Sequence, residues 1–188
     1  GAAARHGAFL APSTLMLVIL SGPVGVGKTS VGAALSRQMR QEDVPHCFVD
    51  MDALTYTYPR PDHDPFGTQV ALAALTPLWS KARETGARHL IVPRVIERRA
   101  EAEAIAQATE HGSYTLIRLF ADEATLHSRL RAREPEEEHA WYLDRATQLA
   151  SSLEQEALED LCLDTTDRSA SEVAAEIRSY LALGTESA

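Results

Sequence analysis

Residues Leu15 to Thr29 read LMLVILSGPVGVGKT, and they restrict the chain more than any other stretch. The apolar run Leu15–Leu20 is long enough to cross a buried parallel sheet. It breaks into Gly22-Pro23-Val24-Gly25-Val26-Gly27-Lys28-Thr29, the G-x-x-x-x-G-K-[ST] spacing of a Walker A phosphate loop. Glycines let backbone N–H groups approach phosphate oxygens with no Cβ in the way. Lys28 brings a cation to the β- and γ-phosphates, and the Thr29 hydroxyl suits Mg²⁺. Ser30 opens a run with helical spacing (Val31, Leu35, Met39), whose positive dipole end faces the same anion. Strand, loop and helix in this order predict a nucleoside triphosphate site on Gly22, Val24, Gly25, Val26, Gly27, Lys28, Thr29 and Ser30.

With 188 residues, 45% apolar and 24% charged, the chain has the size and balance of one soluble domain. A net charge of −9 argues against a surface that holds nucleic acid or an anionic membrane, though a local arginine pocket can still be basic. No apolar run reaches the ~18 residues of a membrane helix. Residues 1–14 are small and irregular, with no signal-peptide pattern, so they read as a disordered or non-native extension before a domain at 15–184. Cys47 and Cys162 lie in apolar runs. A disulfide is conceivable, but two buried reduced thiols in a cytoplasmic protein is the expected state, and no zinc spacing is present.

Further along, His46–Asp50, His89–Pro93, Tyr114–Phe120 and Leu161–Asp164 read as strands. Helical runs are expected over 30–41, 67–84 (bent or split at Pro77), 97–111 (ended by Gly112), Asp122 to about Arg133, 139–158, and from Ser169 or Ser171 to Leu183. The alternation predicts an α/β fold: a three-layer αβα sandwich around a five-stranded parallel sheet, helices on both faces and a small lid at 133–140. Ligands in such sheets collect outside the carboxyl ends of the strands.

That rule points to Asp50 and Asp52 after the second strand. One suits the Mg²⁺ shell and the other suits accepting a proton from an attacking hydroxyl; a turn or cap aspartate is the alternative. Arg129 and Arg133 stand four apart on one helix face beside the Pro/Glu-rich interruption, as lid residues over a triphosphate or as a solvated face paired with glutamates. Arg94, past the third strand, sits where many nucleotide hydrolases keep an acid, which weakens a motor-type ATPase reading. Arg94 or Arg98 suits an acidic substrate group or a capping role. Tyr56, Tyr58, His63 and Asp62–Asp64, in the irregular loop at 52–66, are candidates for substrate contact.

Together these anchors resemble the small P-loop phosphotransferases with a nucleoside-monophosphate-kinase-like fold, among them gluconate kinase, shikimate kinase and chloramphenicol phosphotransferase. The anchors are Gly22–Thr29, Asp50-Met51-Asp52-Ala53-Leu54, Arg118–Ala121 with Arg129–Glu134, and Leu163-Asp164-Thr165. The resemblance implies ATP and Mg²⁺ as cofactors, Thr29 and Asp50 on the metal, Asp52 as base, and a phosphate role for Arg129 and Arg133. A small-molecule hydroxyl is the implied acceptor, met by Asp52; Arg94 and Tyr56 are candidate substrate contacts from their places in the chain, and a monomer or homodimer is expected. The 52–66 loop and residues 93–99 match none of these families closely, so the resemblance does not transfer the acceptor. A nucleoside or nucleotide kinase, a 5′-hydroxyl polynucleotide kinase and a non-catalytic ATP-binding regulatory module are the rivals.

Overall fold

The structure is a computed structural model that describes residues 15–55 and 58–181. The extension at 1–14 and Tyr56 therefore lie outside the described residues. Five parallel strands, β1 (Met16–Ser21), β2 (His46–Phe48), β3 (His89–Pro93), β4 (Thr115–Phe120) and β5 (Leu161–Asp164), form one sheet in the order β2-β3-β1-β4-β5. Six helices follow the alternation: α1 (Lys28–Gln41), α2 (Thr68–Glu84), α3 (Arg99–Ala108), α4 (Glu123–Arg133), α5 (His139–Glu156) and α6 (Ala170–Leu181). No helix among the described residues is long and apolar enough to cross a membrane.

β1 is central, and all six of its residues are buried, which is why it reads as an unbroken apolar run. Side chains alternate across the sheet, so β1 serves two cores. Met16, Val18 and Leu20 pack with Leu35 of α1 and Val173 and Ile177 of α6 on one face. Leu17 and Ile19 pack with Leu75 and Trp79 of α2 and Ile105 of α3 on the other. Each such fully buried aliphatic side chain is worth roughly 1.5–3 kcal/mol of transfer free energy. All five strands run the same way, and the carboxyl ends of β1, β2 and β3 lie within about one to two residues of one another in register: Leu20 is level with Pro93, and Phe48 with Ile91. The loops after β1, β2 and β3 consequently open on one edge.

Several expected boundaries shift. Pro77 does not split α2, which runs unbroken through it. Leu75 and Trp79, buried on either side of the proline, hold both halves on one core, and the Trp79 indole donates to the Thr109 carbonyl at 3.0 Å. α3 stops at Ala108 rather than Gly112, because Glu110 adopts φ 55° and the His111 amide turns back onto the Ala106 carbonyl at 2.8 Å. β2 ends at Phe48, so both aspartates lie in the turn beyond it. Asp122 caps α4 as expected, receiving the Thr125 amide at 2.7 Å. Ser169, not Ser171, caps α6 in a reciprocal box with Glu172. Cys47 and Cys162 are free thiols, half-buried rather than buried as expected because they lie on the two opposite edge strands, so the sheet itself separates them.

Candidate nucleotide and phosphoryl site

The phosphate loop is pressed into place by its neighbours. A Cβ on Gly22, whose φ is 142°, would stand 2.4 Å from the Leu119 carbonyl oxygen of β4. One on Gly25 would meet Leu130 of α4 at 2.8 Å. Gly27, at φ 99°, turns the chain into α1, and its carbonyl accepts the Val31 amide at 2.9 Å. Val24 is half-buried in the loop, and Thr29 and Ser30 are exposed at the helix start. The Lys28 ammonium lies inside, donating to the carbonyls of Gly22 at 2.9 Å and Pro23 at 3.0 Å. Burial pushes its pKa down to about 8; Asp52 and Asp50 oppose that fall while Arg133 and Arg94 add to it. An ammonium has three N–H donors, so one remains for an anion. A buried cation with a spare donor fits a phosphate group.

Asp50 and Asp52 have different partners. The Thr29 hydroxyl donates to Asp50 Oδ2 at 2.8 Å, and the Asp52 amide donates to Asp50 Oδ1 at 3.0 Å. Hydroxyl and carboxylate oxygens side by side are the hard donors that Mg²⁺ accepts, so Thr29 and Asp50 fit that ion. Asp52 is more than half exposed and pairs through Oδ1 with Arg94 at 2.6 Å. Arg94 is fixed at both ends. Its amide donates to the Leu20 carbonyl at 3.0 Å, while its guanidinium reaches the Thr68 hydroxyl at 3.0 Å and the Phe66 carbonyl at 3.5 Å. Of the two candidate arginines, Arg94 therefore enters the site. Arg98 turns outward and pairs with Glu101 at the start of α3.

The 52–66 loop divides similarly. Asp62, His63 and Tyr58 are exposed. Asp64, expected among the substrate contacts, is instead buried at 5% exposure under the start of α2. Its carboxylate accepts the amides of Thr68 at 2.7 Å, Gln69 at 2.9 Å and Val70 at 3.3 Å. This is a helix cap, because the first-turn amides have no helical partner and Gly67 brings none from a side chain.

The two α4 arginines also part company. Arg129 braces the loop from behind, donating to the Val26 carbonyl at 3.2 Å and to the Thr165 hydroxyl and carbonyl at 3.0 and 2.7 Å. Arg133 is 59% exposed and pairs with Glu134. Both border a cavity of about 320 Å³ between Gly27, Ser30, Thr165, Arg168 and Val173. Thr165 is buried and its hydroxyl also donates to Val26 at 3.2 Å, a contact that sequence reasoning did not foresee; its place directly after β5 is the one signal. The expected lid is the short 3₁₀ turn Glu136–Glu138 between α4 and α5. From α5, Arg145 reaches Glu97 beyond β3 at 2.6 Å.

Sheet order, phosphate loop and flanking arginines define an α/β P-loop kinase-like fold. Within that class the chain belongs to the AAA domain family, whose profile matches residues 17–157. No curated protein matches the sequence. Solved structures do match. A gluconokinase from Sinorhizobium meliloti 1021 is 19% identical with a TM-score of 0.61, covering 89% of this chain and 91% of that one. The Deinococcus radiodurans tunicamycin resistance protein is 20% identical with a TM-score of 0.64, covering 90% and 96%. A shikimate kinase from Acinetobacter baumannii is 17% identical with a TM-score of 0.62, covering 93% and 97%. Likeness at this level of identity is a likeness of fold.

Proposed function

We propose that this chain is a phosphotransferase that moves the γ-phosphate of ATP to a hydroxyl group of a small molecule, with Asp52 as the base. The observation that carries this reading is the division of labour between the two aspartates. Asp50 is held by Thr29 at the phosphate side. Asp52, two residues on, is exposed and keeps Oδ2 without a partner among the described residues. Kinases among the structural relatives support the same reaction class.

In this scheme the loop amides and Lys28 hold the β- and γ-phosphates, and the base and ribose of ATP take the cavity beside Thr165 and Arg168. Thr29 and Asp50 would hold Mg²⁺, which supplies charge neutralisation for the phosphates. The acceptor hydroxyl lies against Asp52. Its oxygen bonds to the γ-phosphorus, the bond from that phosphorus to the ADP oxygen breaks, and the proton passes to the Asp52 carboxylate. Lys28 stays on the migrating group, and Arg133 meets it from the lid. Arg129 contributes by holding Val26, and with it the loop, in a phosphate-ready shape.

The test is ADP release from MgATP, alone and with pooled hydroxyl compounds, using Lys28→Ala as blank. Asp52→Asn should bind ATP within about twofold of wild type and lose roughly 10²–10⁴-fold in stimulated turnover, the usual weight of a general base. Wild-type turnover in Asp52→Asn would remove the assigned base. ATP binding with no stimulation by any pool would favour a regulatory module.

A further inference from the structure

The half of the site that faces Asp52 ties up its cations: Arg94 and Arg145 on carboxylates, and Arg60 on the carbonyls of Pro65 at 3.1 Å and Thr55 at 3.5 Å. Arg94, 12% exposed, spends its guanidinium on Asp52, Thr68 and the Phe66 carbonyl. The amino end of α2, a natural anion site, is filled by the buried Asp64 carboxylate on three amides. Arg145 is matched by Glu97 at 2.6 Å. In the phosphate half Lys28 holds back one N–H, while Arg133, paired with Glu134, is 59% exposed beside the loop. Phe66, whose carbonyl Arg94 touches, leaves its ring 60% exposed between Asp64 and Thr68.

We propose that the acceptor is an uncharged hydroxyl compound, such as a free sugar, polyol or nucleoside, and not a hydroxy acid or a nucleotide. The inference rests on the phosphotransferase reading and names its substrate class. An anionic acceptor would have to take Arg94 from Asp52, leaving the base beside a second negative charge, settle at α2 against Asp64, or draw Arg60 off the Pro65 and Thr55 carbonyls that hold it. An uncharged acceptor displaces none of these. It donates its hydroxyl to the free oxygen of Asp52 and lays an apolar face on Phe66. Arg94 then serves as a positioning residue for Asp52.

The experiment uses the wild-type chain with MgATP and matched acceptors: an aldose against its aldonic acid, and a nucleoside against its 5′-monophosphate. ADP release should be stimulated by the uncharged members, with kcat/KM at least about tenfold above their anionic partners, since an anion must displace a hydrogen-bonded carboxylate. Arg94→Gln should lower kcat while the acceptor KM moves less than about threefold, and Arg94→Lys should recover part of kcat, the pattern of a group that orients the base. Equal or better use of the anionic members overturns the inference and leaves the phosphotransferase standing. So does an Arg94→Gln variant with intact kcat and a tenfold higher acceptor KM. Tight ATP binding with no stimulation by any member removes the phosphotransferase reading and the substrate class with it.

Discussion

Lys28→Met should make the nucleotide-free protein more stable at neutral pH while abolishing ATP binding. The buried ammonium has a pKa of about 8, against 10.5 for an ordinary lysine, and desolvation is the chief cause. A gap of about 2.5 pH units, at 1.36 kcal/mol each, makes holding the charge inside cost about 3 kcal/mol below pH 8. Methionine fills a similar volume without the charge, but it strips the Gly22 and Pro23 carbonyls of their donor, at about 1 kcal/mol each. The balance is about 1 kcal/mol in favour of the variant at pH 7, or about 2–4 °C in Tm for a chain of this size. The pH dependence gives the sharper signature. Between pH 8 and 10.5 the folded chain binds fewer protons at Lys28 than the unfolded chain, so wild-type stability rises with pH across that window. Methionine does not titrate, so the two curves should cross near pH 9. Urea denaturation of both proteins at intervals from pH 7 to 9.5 measures the difference directly. A variant less stable than wild type at pH 7, or a difference that stays constant with pH, would refute the assignment of a desolvated, anion-seeking lysine.

Two further changes probe the supports of the site. Asp64→Ala removes the acceptor for three first-turn amides of α2 and should cost about 2 kcal/mol in urea denaturation, with Asp64→Asn costing about half as much; an alanine variant as stable as wild type would show that the cap carries no weight. Thr165→Val keeps the shape but deletes the hydroxyl between Val26 and Arg129. Losing about 1 kcal/mol of loop preorganisation should weaken ATP binding about fivefold by calorimetry, and an unchanged affinity would mean that Arg129 alone shapes the loop.

The phosphate loop was legible because its function fixes both residue types and spacing within eight consecutive positions. Five alternating apolar and amphipathic runs likewise revealed the sheet, since the inner strands β1 and β3 are buried almost throughout and the edge strands β2 and β5 are still half-covered. That Asp50 lies at the same edge as the phosphate loop followed from the rule that ligands collect at strand ends; its hydrogen bond with Thr29 is a finding of the structure. Less was visible where one side chain chooses among distant backbone partners. Asp64 reads as a loop acid, because a carboxylate that caps a helix four to six residues ahead leaves no periodic mark. Arg129 and Arg133 share a helix face, yet only the first reaches Thr165, 36 positions away. That distinction depends on where β5 ends relative to α4. The stop of α3 was misplaced because propensity favours Gly112, while Glu110 takes the left-handed turn and the His111 amide closes it.

The two cores that share β1 have a consequence for how such a protein can change. The elements beside the phosphate loop and its cavity, α1 and α6, lean on Val18 and Leu20. Those that carry the 52–66 loop and the β3 exit, α2 and α3, lean on Leu17 and Ile19 through the opposite face. The sheet between them is common property: β3 gives Ile91 to the first core and Leu90 and Val92 to the second, and β4 divides Ile117 and Leu116 in the same way. Replacements among the α2 and α3 side chains therefore act on the face of the sheet opposite α1 and α6, and reach the phosphate loop through the sheet and through the Arg94 and Asp50 hydrogen bonds at its edge.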